Sequence, residues 1–193
     1  MSRFCLLIIT WLAAFSPVLA QSPANPLQDA VILIIRHAEK PESGDGLAPA
    51  GQKRAEAYVN YFKTFTVNSK PLHLDALFAT ADSKNSRRPR LTVEPLSRAL
   101  HLPVNNRVKD KDFQQLVDEL KSRSHGKEIL ICWHHGEIPS LIRGLGAEPE
   151  TLLPEGKWPA NIFSWVIELH YDHAGHLVPE KTKRISENLM AGD

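Results

Sequence analysis

The chain has 193 residues, with 23 basic and 22 acidic side chains and a formal net charge of +1 at neutral pH. This length suits a single domain, and the balanced charge argues against the strongly positive surface of nucleic-acid-binding or membrane-surface proteins.

The first 20 residues have the pattern of a secretory signal sequence. A positive charge at Arg3 precedes an apolar stretch from Phe4 to Phe15, and Pro17-Val18-Leu19-Ala20 supplies small or aliphatic residues before a cleavage site after Ala20. The apolar stretch is shorter than the ~20 residues of a membrane-spanning helix. The alternative is a signal anchor that stays uncleaved.

These features divide the chain into a signal peptide over residues 1–20, a flexible leader over residues 21–28 and one domain over residues 29–193. They predict a bacterial protein of the periplasm or the extracellular space, with no membrane insertion after cleavage. Cleavage also leaves Cys132 as the single cysteine, so we expect no disulfide within one copy.

The first ordered element is predicted at residues 31–35, which are five consecutive aliphatic residues. An uninterrupted apolar run indicates a strand buried on both faces, because a half-exposed strand would alternate. Arg36 and His37 follow at the strand end, the edge where open α/β sheets bind ligands. A guanidinium can grip an oxyanion at two points, and an imidazole can attack or carry protons.

Further strands and helices alternate along the chain, and this pattern is typical of a three-layer α/β/α sandwich with a mostly parallel central sheet. One helix is expected to begin near Pro49, and three more are expected over residues 86–100, 111–122 and 137–145. Strands are expected over residues 75–79, 103–104, 128–133, 161–170 and 176–178.

Three of these strands carry basic or imidazole side chains where they end. Arg36-His37 follows the first strand, His134-His135 follows residues 128–133, and a loop with several basic residues follows residues 75–79. Parallel neighbours share one rim, so these groups are expected to converge there. Such a concentration of positive charge and imidazole indicates a bound anion.

Four sequence blocks, in this order, resemble the histidine phosphatase superfamily, in the branch that includes phosphoglycerate mutases and small phosphohistidine phosphatases. The blocks are Arg36-His37-Ala38-Glu39, Leu47-Ala48-Pro49-Ala50-Gly51, Ser83 to Arg88 with Thr92, and Trp133 to Pro139. The resemblance covers the whole domain in order and implies the histidine phosphatase, phosphoglycerate mutase-like fold.

The resemblance also implies a metal-independent phosphatase without a cofactor, acting on a small phosphorylated substrate through a phosphohistidine on His37. Arg36, Arg88 and a protonated His134 would surround the phosphate. Arg88 is chosen because it lies four residues before Thr92, and His134 because of the family's His-x-x-x-Ile-Pro pattern.

The proton donor to the leaving group is less directly assigned. Some relatives carry an aspartate beside the second histidine, where this chain has His135. Glu137, one helical turn from His134, is the first candidate, and Asp110 and Asp112 are the alternatives. Glu137 also fits a structural role, as a negative charge in the first turn of a helix.

Four more residues are possible pocket residues: Glu39, Lys84, Arg87 and His135. Lys84 and Arg87 can bind a second anionic group of the substrate or face solvent. His135 can shape the pocket or donate a hydrogen bond. Trp158 can wall the rim or pack over the sheet edge.

Two other functions compete with a phosphatase. The first is a non-catalytic protein that binds phosphate or a phosphorylated ligand in the same pocket. The second is a metal-dependent hydrolase using His134 and His135, which is disfavoured because adjacent strand residues point to opposite sides. Other histidines and acids cluster near a predicted hairpin, where we interpret them as polar side chains that face solvent rather than as metal ligands. They are His170, Asp172, His173 and His176.

Overall fold

The computed structural model describes residues 25–193. The predicted signal peptide lies outside this range and stays a prediction. The predicted leader is described only over residues 25–28, where Leu27 is 3% exposed and belongs to the core. The Asn25 side chain donates to the carbonyl of Ala174. These four residues therefore pack on the domain, ahead of the predicted start at residue 29.

Within this range, six strands form the main sheet and two more form a separate short hairpin. The strands are β1 (Val31–Arg36), β2 (Thr66–Val67), β3 (Lys70–Pro71), β4 (Ala76–Ala79), β5 (Val104–Asn105), β6 (Glu128–Trp133), β7 (Trp165–His170) and β8 (Lys183–Ser186). The main sheet has the order β5-β4-β6-β1-β7-β8. Its first four strands are parallel, and β7 and β8 are antiparallel to their neighbours. The mostly parallel sheet confirms the sequence prediction.

Helices cover both faces of this sheet. They are α1 (Pro49–Lys63), α2 (Arg88–Leu100), α3 (Phe113–Ser122), α4 (Ile138–Gly144) and α5 (Pro149–Leu152). Alternate residues of β1 enter two separate cores: Leu33 packs with side chains of α1 and α2, and Ile34 packs with side chains of α3, α4 and α5. The apolar run of β1 is therefore buried on both sides, and the three-layer architecture is confirmed. No helix of the described part is long and apolar enough to cross a membrane.

The register of the central strands sets the position of the two histidine motifs. In the parallel pair β1 and β6, Arg36 lies opposite Trp133. The residues that follow, His37 and His134, therefore leave the sheet side by side at its carboxyl edge. Strand β4 ends on the other side of β6, so the loop before α2 reaches the same edge.

The predicted last strand at residues 176–178 is wrong. The structure has only an isolated bridge from Tyr171 to Leu177 there, and the final strand of the sheet is β8. The cause is a turn in which the Asp172 carboxylate accepts hydrogen bonds from the amides of Ala174 and His176. The hairpin β2–β3 was not predicted; its turn residues Asn68 and Ser69 have φ of 50° and 63°, the left-handed conformation of a tight hairpin.

Candidate active site

Arg36, at the end of β1, is held in a fixed orientation. It is 2% exposed, and its Nη1 donates to the carbonyls of Ala160 and Ile162, both at 2.8 Å. Its guanidinium carbon lies 3.8 Å from the ring centre of Phe163. Burial lowers its pKa to about 10, so it stays cationic near neutral pH. Its buried Nε has no hydrogen-bond partner among residues 25–193 and can donate to a ligand.

His37 is oriented for attack by its Nε2 atom. Its backbone N–H donates to the carbonyl of Trp133 at 3.0 Å. Its Nδ1 lies 2.7 Å from the Ala38 carbonyl, which can only accept, so Nδ1 carries the ring proton and Nε2 the lone pair. Burial, with smaller effects of His134 and Arg36, lowers the pKa of His37 to about 3. The ring is therefore neutral near pH 7.

Thr92 connects the start of α2 to the loop after His37. Its hydroxyl donates to the Arg88 carbonyl and accepts from the Ala38 amide, each at 2.8 Å. The threonine of the sequence block therefore positions Arg88 beside the nucleophile. Nη1 of Arg88 donates to the Gly44 carbonyl at 3.3 Å. Its buried Nε, like that of Arg36, has no partner in the described part of the chain.

His134 lies against His37, with ring centres 4.9 Å apart in an edge-to-face arrangement. Burial and then the charge of Arg88 lower the pKa of His134 to about 4. Without a ligand it is neutral near pH 7, whereas the protonated form expected from the sequence is the form that binds the phosphate dianion. A bound phosphate dianion would favour protonation, because an opposite charge nearby stabilises the imidazolium.

These groups line one cavity of about 370 Å³ at the carboxyl edge of the parallel strands. We call it the rim pocket, and nine residues form it: Arg36, His37, Lys40, Arg88, Asp110, His134, His135, Gly136 and Ala160. The sequence had not singled out Lys40 or Ala160. Lys40 directly follows the Arg-His block, and this proximity was the available signal.

Among the candidate acids, the structure brings Asp110 into the rim pocket, and neither Glu137 nor Asp112 lines it. Burial, with a contribution from the charge of Glu137, raises the pKa of Asp110 to about 6. Glu137 lies at the residue before α4, and its amide donates to the His134 carbonyl at 3.0 Å. Glu137 precedes the first turn of α4 and makes no side-chain hydrogen bond to the amides of that helix, so its first-turn structural role stays a prediction.

The other predicted pocket residues separate into two groups. His135 lines the rim pocket, and burial lowers its pKa. Glu39 instead binds the buried Arg54 at 2.8 Å, and Arg87 pairs with Asp45 at 2.7 Å. Lys84 is exposed and does not line the rim pocket. The structure therefore gives Lys84 and Arg87 no contact with the site.

The histidine cluster near the C-terminus does not form a metal site. Among the described residues, no group of three or more His, Cys, Asp or Glu side chains could hold a metal ion. His170 pairs with Glu168, and His173 pairs with Asp29.

Trp158 belongs to the core rather than the pocket wall. It is 3% exposed, and its indole donates to the Ile162 carbonyl at 2.9 Å. The same carbonyl accepts from Arg36. Trp158 therefore supports the loop that orients Arg36.

No family model and no curated protein matches this sequence. Several solved structures resemble the structure of this chain. A phosphoglycerate mutase from Plasmodium falciparum has a TM-score of 0.54 at 16% identity, over 78% of this chain and 88% of that one. A protein assigned as the phosphohistidine phosphatase SixA of Agrobacterium tumefaciens has a TM-score of 0.52 at 16% identity, over 83% and 99%. A mycobacterial glucosyl-3-phosphoglycerate phosphatase has a TM-score of 0.51 at 13% identity, over 84% and 100%.

Proposed function

We propose that this chain, which has the fold of those mutase and phosphatase structures, is a metal-independent phosphatase that hydrolyses a phosphomonoester through a phosphohistidine on His37. One arrangement carries the proposal. A neutral His37 with a free Nε2 lone pair lies in a pocket where the buried Nε atoms of Arg36 and Arg88 have no partner among residues 25–193. That pocket offers a nucleophile and two preorganised donors to the same anion.

In the first half of the reaction, Arg36, Arg88 and His134 bind the phosphoryl oxygens and stabilise their charge in the transition state. Nε2 of His37 attacks phosphorus, and a P–N bond forms as the P–O bond to the leaving group breaks. Asp110 donates its proton to the departing oxygen, so the product leaves as a neutral alcohol.

In the second half, the Asp110 carboxylate removes a proton from a water molecule that attacks phosphorus. The P–O bond to this oxygen forms as the P–N bond breaks, and the electron pair returns to Nε2 of His37. Inorganic phosphate leaves, and both His37 and Asp110 regain their starting protonation states.

A phosphate-release assay tests this proposal. The purified protein is given a panel of sugar phosphates, nucleotides and phosphorylated lipid headgroups, with and without a chelator. We expect steady release of inorganic phosphate from at least one substrate of the panel, at a rate that the chelator does not change. Tight phosphate binding with no release from any member would favour the alternative of a non-catalytic binding protein.

The pKa of Asp110 predicts an acidic optimum. Its raised pKa keeps the acid protonated below about pH 6, whereas His37 stays neutral above about pH 3. We expect kcat/KM to fall as pH rises through about 6, because Asp110 then loses the proton that it must donate. In the D110N variant this fall in kcat/KM, the basic limb of the pH profile, should be absent. Its kcat should be lower than that of the wild type by about 10²- to 10⁴-fold for a substrate with a poor leaving group.

Phosphomonoesters themselves ionise near pH 6, so the D110N profile, measured on the same substrate, is the necessary control. The E137Q variant provides a second control. Removing the negative charge that raises the pKa of Asp110 should move the limb to lower pH. An unchanged limb in D110N would assign the proton donor to another group.

We further propose that the protein acts in the periplasm or outside the cell, on the evidence of the signal pattern in residues 1–20. Cell fractionation and N-terminal sequencing test this. We expect an exported form that begins at Gln21; a full-length protein confined to the cytoplasm would contradict it.

A further inference from the structure

The side chain of Trp133 contacts the segment that carries the acid of the rim pocket. Its indole N–H donates to the backbone carbonyl of Asp110 at 3.1 Å, and the residue is fully buried. Resting on the phosphatase function proposed above, we propose that Trp133 is a positioning residue that holds the Asp110 carboxyl in the rim pocket.

No hydrogen bond from the described residues orients the carboxyl group of Asp110. Its Oδ1 is buried and has no hydrogen-bond partner among the described residues. Its direction must therefore come from the backbone of the segment that carries it, a one-turn 3-10 helix at Asp110–Asp112. Contacts to that backbone decide whether the acid points into the pocket.

Two hydrogen bonds attach this segment to the sheet. The Ala81 amide, just after β4, donates to the Val108 carbonyl at 2.7 Å, and the indole of Trp133 binds at Asp110 itself. Val108 and Phe113 also pack against the core cluster that contains Trp133. Without the indole N–H, the attachment at Val108 remains, and residues 109–112 can turn toward solvent.

The same residue also holds the nucleophile. The Trp133 carbonyl accepts the backbone N–H of His37 at 3.0 Å, and the next residue is His134. Phosphoryl transfer needs the attacking and leaving atoms in line on opposite sides of phosphorus. Trp133 therefore fixes the distance between His37 and Asp110 across the pocket, where a displacement of about 1 Å can cost about 10²-fold in rate.

W133F removes the N–H and keeps an aromatic ring, and two substrates separate positioning of the acid from a general structural effect. Glycerol 2-phosphate has an alkoxide leaving group that needs a proton, whereas the nitrophenolate of p-nitrophenyl phosphate does not. We expect kcat to fall about 10- to 100-fold with the first substrate and less than about 3-fold with the second, with little change in KM.

The pKa of Asp110 provides a readout that does not depend on turnover. If the acid swings toward water, its burial decreases and its pKa falls toward the ordinary value, measured by NMR titration of a labelled carboxyl carbon. The basic limb of the pH profile should move to lower pH in parallel. An unchanged Asp110 pKa in W133F would overturn the proposal even in a protein with no detectable activity.

W165F is the matched control, because Trp165 lies at the start of β7 and stacks on Arg184 rather than lining the rim pocket. It should leave both substrates and the Asp110 pKa unaffected. Equal losses on both substrates in W133F would show a merely structural role. If W133F does not fold, benzothienylalanine at position 133 keeps the ring size without an N–H. Failure of the wild-type protein on every substrate would instead remove the proposed phosphatase function.

Discussion

Replacing His37 by alanine should abolish catalysis, lowering kcat for phosphate release by at least about 10⁴-fold. The reason is that a covalent intermediate on Nε2 divides the reaction into two steps. Among the histidines that line the rim pocket, only His37 has its Nδ1 held by a backbone carbonyl of the described residues. Phosphate binding should survive, because Arg36 and Arg88 remain. The measurement is steady-state phosphate release together with the affinity for inorganic phosphate.

H173A is the control for this variant. His173 lies in the turn after β7, with 84% of its side chain exposed, and its side-chain partners are Gln28 and the exposed Asp29. It should retain wild-type turnover, and both variants should show the wild-type circular dichroism spectrum. Turnover by H37A at the wild-type rate would exclude the phosphohistidine mechanism.

Replacing Arg54 by methionine should lower the free energy of unfolding by about 3–5 kcal/mol, because it leaves buried carboxylates without their counter-charge. Arg54 is 2% exposed and binds Glu39 at 2.8 Å, Glu187 at 3.1 Å and the side chain of Asp193. In the variant Asp193, whose side chain is 7% exposed, and Glu39 lose their counter-charge, and the buried carboxyl group of Glu187 loses a hydrogen-bond donor. Urea denaturation followed by fluorescence measures the change.

R98M serves as the comparison, since Arg98 is exposed and its ion pairs are long, 3.7 Å to Glu94. The R98M variant should lose less than about 1 kcal/mol in its free energy of unfolding. Burial raises the pKa of Glu187 to about 8. The carboxyl group of Glu187 thus binds a proton more tightly in the folded than in the unfolded state. We therefore expect the free energy of unfolding to decrease as the pH rises from the ordinary pKa of a glutamate to about 8. Equal losses in R54M and R98M would show that the buried network contributes little.

Local sequence patterns predicted the parts of the fold that depend on local chemistry. The strand over residues 128–133 was predicted with the bounds that β6 has, and α1 begins at the predicted Pro49. Apolar runs of five or six residues, rich in isoleucine and valine, locate buried strands because they are too short for a typical helix and a half-exposed strand would alternate with polar residues. The convergence of His37, Arg88 and His134 followed from one further rule, that parallel strands end at a common edge.

Tertiary contacts decided what the sequence left open. Asp110 and Asp112 are two residues apart in one short segment, and only the indole bond from Trp133 and the burial around Asp110 distinguish them. Glu137 has helical spacing from His134, yet the start of α4 keeps it outside the rim pocket. Glu39 directly follows the His37 motif, but its carboxylate binds Arg54 of α1, and no local pattern shows that pairing.

The position of β1 in the sheet has a consequence for how the protein folds. Synthesis makes this strand first among the described elements, yet its two neighbours, β6 and β7, begin at residues 128 and 165. The backbone N–H and C=O groups of β1 therefore have no strand partner until most of the polypeptide has been synthesised. Pairings between such distant segments raise the contact order and slow folding. A fragment that ends before β7 lacks one partner of the nucleophile's strand, so we expect catalytic competence to appear only after β7 has been synthesised and paired.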